Sequence, residues 1–245
     1  FQFKEDITGY LDDRRLHLYL VDVNDGSSTA LTRGPYDHYL PSFSPDSKHI
    51  AFVSKRGEDP DRHLNYDIYM VEAKAGGIEK QITHYPGTDL DPYWETRPAW
   101  SPDGSKIAYV RSEGGQWTYY APWQLAVVDL ATGEESQPAL SDHFTIKPTW
   151  LPDSRHLVAL VESPQAMTAV KVDVVSGKTE PLTEGGRFDY GLAINASGDV
   201  VLNSSTPMKP FELQRLTGKN RMTALTDHND WLKSRTLAPV ETLRF

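Results

Sequence analysis

The chain has 245 residues, 38% of them hydrophobic, and a formal net charge of −9. That charge, without any basic cluster or arm, argues against general affinity for nucleic acid, and no apolar run approaches the roughly 18 residues of a membrane-spanning helix. Cysteine is absent, which excludes disulfides, a thiolate metal site and a thiol nucleophile. Residues 1–13 begin abruptly at Phe1 and carry no charged-then-apolar signal segment. Residues 14–33 hold one pair of strands: 17–23 (HLYLVDV) alternates apolar and polar positions, turns at Asn24-Asp25-Gly26 and closes at Leu31-Thr32. Half a unit at the front predicts a piece of a longer protein.

From residue 36 onward a unit repeats. Hairpins occur at 41–52 (PSFSPDSKHIAF), 98–109 (PAWSPDGSKIAY) and 148–159 (PTWLPDSRHLVA), with a worn copy at 192–203 (LAINASGDVVLN); successive starts lie 57, 50 and 44 residues apart. Proline fixes φ near −65°, aspartate accepts from backbone N–H groups two residues on, and glycine tolerates positive φ, so each reads as strand, turn, strand. A second marker keeps the same rhythm: Leu31-Thr32, Ile82-Thr83, Leu140-Ser141, Leu182-Thr183 and Leu225-Thr226 close the units at intervals of 51, 58, 42 and 43. Two more strands complete each unit, for example 124–129 and 136–140 around the turn Ala131-Thr132-Gly133. No stretch of ten residues reads as an amphipathic helix. Four strands per 40–50 residues is the signature of β-propeller blades. The predicted fold is all-β, a propeller of four-stranded antiparallel blades, about four and a half of them in an incomplete ring. The boundaries are a partial blade at 1–33, blades at 36–84, 93–142, 144–184 and 188–227, and an exit segment at 228–245.

Three loops exceed what a minimal blade needs. Residues 55–66 (KRGEDPDRHLNY) carry Arg56, Glu58, Asp61 and Arg62; residues 84–97 carry Tyr85, Tyr93, Trp94, Glu95 and Arg97; residues 111–123 carry Trp117, Tyr119, Tyr120 and Trp123. Long aromatic and charged loops on a rigid scaffold are where binding resides, whereas rings in such loops also pack between blades. A carboxylate here can hold a peptide's amino terminus, and an arginine a carboxylate in two-pronged fashion. The substrate-binding candidates are Arg56, Glu58, Arg62, Tyr93, Trp94, Glu95, Arg97, Trp117, Tyr119, Tyr120 and Trp123.

Catalytic and metal chemistries find no purchase. There is no G-x-S-x-G elbow, no H-E-x-x-H pair and no phosphate-binding G-x-x-x-x-G-K-[ST] loop. The eight histidines are scattered over different units and read as strand-surface or turn residues. Asp59 with Asp61, and Asp89 with Asp91, lack calcium-loop spacing and read as solvated loop acids. No catalytic residue, metal or cofactor is predicted, and Asp46, Asp103 and Asp153 are expected to stabilise their hairpin turns.

The run SKRGEDPDRHLNYDIYMVEAKAGGIEKQIT, then RPAWSPDGSKIAYV and TYYAPWQLAVVDLATG, resembles the propeller domain of the prolyl oligopeptidase family of serine peptidases, and most of all its acylaminoacyl-peptidase-like bacterial members. The end of the chain, from Leu225-Thr226 through Asn229 to Pro239, Glu241 and Phe245, is similar to that family's passage into an α/β-hydrolase domain. The resemblance covers nearly the whole chain, and its SPDG hairpins are shared with TolB-type propellers. It implies a propeller that gates and helps select peptide substrates for a separate hydrolase domain bearing a Ser, Asp, His triad. The partners it implies are that missing domain and peptides; oligomerisation through bare blade edges is a further expectation, and this chain alone is expected to be inactive. Two other readings are a TolB-like scaffold that binds a protein partner and a small-ligand propeller. The long loops and exit segment weigh against the first, and the lack of repeated ligand residues against the second.

Overall fold

A computed structural model describes the chain except residues 1–3, 6–8, 11, 13, 93–95, 115–116, 119, 242 and 244–245; for Lys4, Glu5, Gly9 and Asp61 it describes the backbone alone. The predicted site residues Tyr93, Trp94, Glu95 and Tyr119 lie outside the described residues. The chain divides into two compact units, Phe1–Gln137 and Pro138–Phe245.

In the first unit, β1 (Lys4–Glu5) pairs with β2 (Gly9–Tyr10), and β3 (Tyr19–Val21) with β4 (Ser28–Ala30). A four-stranded antiparallel meander follows: β5 (Tyr39–Phe43), β6 (His49–Ser54), β7 (Asp67–Glu72) and β8 (Lys80–Gln81). In the next sheet, β9 (Thr88–Asp89) and β10 (Ala99–Trp100) both pair with β11 (Lys106–Ser112), which continues to β12 (Gln124–Asp129) and β13 (Glu135–Ser136). The first edge of this sheet is thus shared by two short strands with a long segment between them. The expected strand over 136–140 stops at Ser136 because Pro138 cannot donate to the ladder and Leu140 adopts φ +63°.

The second unit contains two meanders. The first is β14 (Thr145–Trp150), β15 (His156–Ser163), β16 (Ala166–Asp173) and β17 (Thr179–Pro181); the second is β18 (Phe188–Ile194), β19 (Val200–Thr206), β20 (Lys209–Gly218) and β21 (Arg221–Ala224). A single parallel pairing, Met167 with Phe188, joins them. The only helical pieces among the described residues are 3-10 turns such as Pro60–Arg62 and Asp230–Ser234, so no helix there is long and apolar enough to cross a membrane.

Burial explains the stacking. Central strands β6, β11 and β15 are buried on both faces rather than alternately. Ile50, Phe52, Tyr69 and Val71 pack against Leu18 and Leu31 on one side of the first meander. In the second unit Ile146, Val158, Leu160, Met167 and Ala169 meet Val200 and Leu202 across the two meanders. β20 by contrast alternates exposed and half-buried residues, so one of its faces is open.

The hairpin turns form as their residues predict. In each copy the fourth turn residue donates its N–H to the carbonyl of the first: Ser47 to Ser44, Gly104 to Ser101, Ser154 to Leu151 and Gly198 to Asn195. All four have positive φ, from 54° to 83°. Asp46, Asp103 and Asp153 accept backbone N–H groups from the residues just past their own turns. In the worn copy Asn195 takes over, accepting from Ser197 and Asp199. The Leu-Thr marker is a clasp. The leucine or isoleucine N–H donates to the carbonyl of Leu18, Ile68, Ala169 or Leu213, and that same residue donates its own N–H to the following threonine hydroxyl at 2.8–2.9 Å.

Candidate functional site

An antiparallel meander puts its first and third turns at one end and its second turn at the other. The hairpin turns at 44–47 and 101–104 therefore share an end with the turns at 75–77 and 131–133. The long loops 55–66 and 113–123, together with the 84–97 connection, emerge at the opposite end. In the first unit these three segments interlock. The Tyr66 N–H donates to Thr88 Oγ1 at 3.3 Å, and Asp89 N–H donates to the Tyr66 carbonyl at 2.7 Å. Thr88 and Asp89 pair with Ser112 and Arg111. Ser112 Oγ then donates to the Thr118 carbonyl at 3.3 Å, and Thr118 Oγ1 to the Glu113 carbonyl at 2.9 Å. The Arg111 guanidinium lies 4.1 Å from the Tyr85 ring centre, and Lys55 Nζ 5.5 Å from that of Tyr66.

On this frame the predicted residues fall into two sets. Glu58 and Arg62 are exposed, the latter 3.4 Å from Asp59 Oδ2 beside a left-handed turn at Asp59 (φ +54°). Arg97 is exposed and donates to the Pro41 carbonyl at 3.2 Å. Trp117 and Tyr120 present 54% and 83% of their surface to solvent. Trp123 does not: at 4% exposure its ring is packing, not a free face. Arg56 also points inward. Its guanidinium contacts Glu79, Ser54 Oγ (3.1 Å) and His38 Nε2 (3.0 Å), and stacks 4.0 Å from the Tyr69 ring centre. Burial pushes the Tyr69 hydroxyl up to about 12. Such a guanidinium has its partners already, so Arg56 holds the root of the loop.

Beneath the loops lies a group of acids that spacing alone did not single out. Asp89 and Asp91, expected as solvated loop acids, are instead buried, with Asp89 wholly inaccessible. Burial drives the Asp89 carboxyl well above the ordinary range, and Glu135 and Asp67 push it the same way against the Thr83 hydroxyl and Arg111. Asp67 and Asp91 are raised to about 6, again by burial. Glu135 accepts the Tyr109 hydroxyl at 2.8 Å and the His84 N–H at 2.6 Å. His38, expected at a surface, is also buried, because it fills the core position six residues after Thr32. The same spacing links Thr83 to Asp89 and Thr183 to Asp189. This was the signal available in the sequence. At the third of these positions the acid is fully served: Thr183 Oγ1 donates at 2.7 Å, Arg187 Nε at 2.9 Å, and the Ser204 hydroxyl bonds it as well. Among the described residues no group of three or more His, Asp or Glu is arranged to hold a metal ion.

Comparison with known proteins agrees with this architecture. A family model described as the TolB beta propeller domain matches residues 16–232. Dipeptidyl-peptidase 5 of Porphyromonas gingivalis is 28% identical over 220 residues, which is 83% of this chain and 31% of that protein. The chain thus spans about a third of the length of this curated relative. Among solved structures, acylaminoacyl peptidase in complex with Z-Gly-Gly-Phe-chloromethyl ketone superposes with a TM-score of 0.70 at 13% identity, covering 96% of this chain and 34% of the other. TolB from Acinetobacter baumannii gives 0.64 at 19%, covering 86% and 48%. At those identities the structural likeness speaks to the fold, and each four-stranded meander corresponds to a propeller blade.

Proposed function

We propose, for a chain that belongs to the TolB β-propeller domain family, that it is the gating and substrate-selecting propeller of a serine oligopeptidase whose chemistry resides in a separate α/β-hydrolase domain. The observation that carries this reading is the asymmetry of the first unit. One end has tight turns of minimal length; the other has three long segments cross-braced by Tyr66, Thr88, Ser112 and Thr118. Bracing of that kind presents charged and aromatic side chains without the entropic loss of ordering a floppy loop on binding. Relatives that are peptidases, dipeptidyl-peptidase 5 among them, support it. In this reading Glu58, Arg62, Arg97, Trp117 and Tyr120, with Tyr93, Trp94, Glu95 and Tyr119, meet the peptide, while Arg56 and Trp123 hold the loops in place. Blades occupy 36–84, 93–142, 144–184 and 188–227, and 228–245 leads to the hydrolase domain.

A serine-directed fluorophosphonate tests it. The expected result is labelling of the parent polypeptide that continues past residue 245 and none of the 245-residue chain. A parent polypeptide that ends at this propeller, or one that resists the probe, would sink the proposal. The TolB family match favours a second reading, a scaffold propeller that binds a protein partner through the same loop end. Those two outcomes would favour it.

A further inference from the structure

At the root of the 55–66 loop, the side chains around Arg56 form a latch with a defined proton. His38 lies just before β5, and its side chain has no exposed surface. Its Nδ1 is 2.9 Å from the Leu16 carbonyl, which can only accept, so Nδ1 carries the ring proton. Nε2 therefore offers a lone pair, and Arg56 Nη2 donates to it at 3.0 Å. The same Nη2 contacts Glu79, which precedes β8 and whose Oε2 lies 3.8 Å from His38 Nε2. The rings of Tyr69, Tyr36 and Phe52 hold the guanidinium at 4.0, 5.4 and 5.9 Å. His17 faces His38 with ring centres 5.2 Å apart, and its buried Nδ1 has no hydrogen-bond partner among the described residues. Asp37, the next residue back, turns its carboxylate to the Leu16 N–H and Arg15 instead. One cation, Arg56, is thus balanced by one anion, Glu79, as long as His38 is neutral. A proton on Nε2 would aim N–H at N–H and set two cations against one carboxylate. Of the two, Arg56 has the way out. Its side chain is long and 19% exposed, whereas the imidazole is enclosed and anchored at Leu16.

We propose that His38, Arg56 and Glu79 are an acid-sensitive latch: a proton taken up from solvent at His38 Nε2 draws Glu79 to the imidazolium, Arg56 swings out, and the 55–66 loop loses its inner anchor. The inference concerns how the loop is held and is independent of what the loop binds. Burial keeps the His38 pKa below its usual value, against the pull of the Leu16 carbonyl and Glu79. The latch is therefore closed above the ordinary histidine value of about 6.5. It opens as pH falls below that value, by about tenfold per pH unit until the depressed pKa is reached. Global stability is a poor readout, since Asp67 and Asp91 move it the opposite way over the same range. Loop mobility is a direct one. The chain has no cysteine, so Glu58→Cys carries a single nitroxide label in the loop. Its spin-resonance line is expected to be broad at about pH 8 and to narrow as pH falls from about 7 to about 5. In the labelled background His38→Gln, whose amide oxygen accepts from Arg56 without titrating, should stay broad throughout. Arg56→Gln should be mobile at every pH. Far-ultraviolet dichroism checks that each variant is folded. An unchanging line in the labelled chain overturns the proposal. So does a pH response that survives either substitution, which would assign the proton to another group such as His17 or His63. Ring-nitrogen magnetic resonance needs no variant: His38 is expected as the Nδ1–H tautomer at about pH 8, and an Nε2–H tautomer would sink the latch.

Discussion

Thr183 accepts the Ala169 N–H and donates to Asp189 with one hydroxyl. Valine at this position keeps the shape but orphans a buried N–H and a buried carboxylate oxygen. The expected loss is about 1–3 kcal/mol in urea denaturation, with Thr183→Ser losing clearly less because the hydroxyl remains. Asp67 gives a pH signature. Its folded-state pKa is raised, so the folded protein holds the proton more tightly than the unfolded chain does. Its contribution is complete below about pH 4 and is lost as pH rises through about 6. Asp91 acts in the same direction and window. Stability should therefore fall between pH 4 and 7, and Asp67→Asn should flatten part of that slope, by roughly 1–2 kcal/mol after a discount for residual solvent contact. A slope unchanged by the substitution would show that Asp67 ionises as freely in the folded protein as outside it.

At the scale of elements, the hairpin turn carries its own instructions. Asp103 accepts the hydroxyls of Ser101 and Ser105 and the Ser105 N–H, all within 2.6–2.9 Å. Gly104 supplies φ +72° without a Cβ penalty. Asp103→Ala is expected to destabilise by about 0.5–1.5 kcal/mol, read as a lower thermal midpoint with an unchanged dichroism spectrum. The equivalent removal in the worn copy, Asn195→Ala, should have a similar effect, because Asn195 accepts two N–H groups there. The turns are thus the same device written with different residues, which is why the fourth copy looks degraded in letters and intact in shape. β20 makes the complementary point. Its full extent, Lys209–Gly218, depends on pairing with β19 and β21 on either side.

For the whole molecule, the −9 charge predicts a negative result that is easy to obtain: no shift of mixed-sequence duplex DNA at physiological salt. Retardation of the duplex would show a local basic surface that overrides the total. The periodicity of Pro-Asp turns and Leu-Thr clasps was enough to establish an all-β chain of repeated four-stranded sheets. Both devices are local, since their donors and acceptors lie within a turn or one strand pair, and local hydrogen-bond geometry is set by residue type and spacing. The same holds for the absence of G-x-S-x-G, which is a matter of letters. Which face each loop residue presents was decided only by the tertiary structure. Arg56 and Trp123 turn inward, Trp117 and Tyr120 turn out, Asp89 is wholly buried where its own segment meets Tyr66 and Arg111, and Phe188, Tyr190 and Phe211 come together from strands that are not neighbours in the chain. Burial and charge depend on what lies opposite in space, and that is a property of packing between sheets rather than of any stretch of sequence.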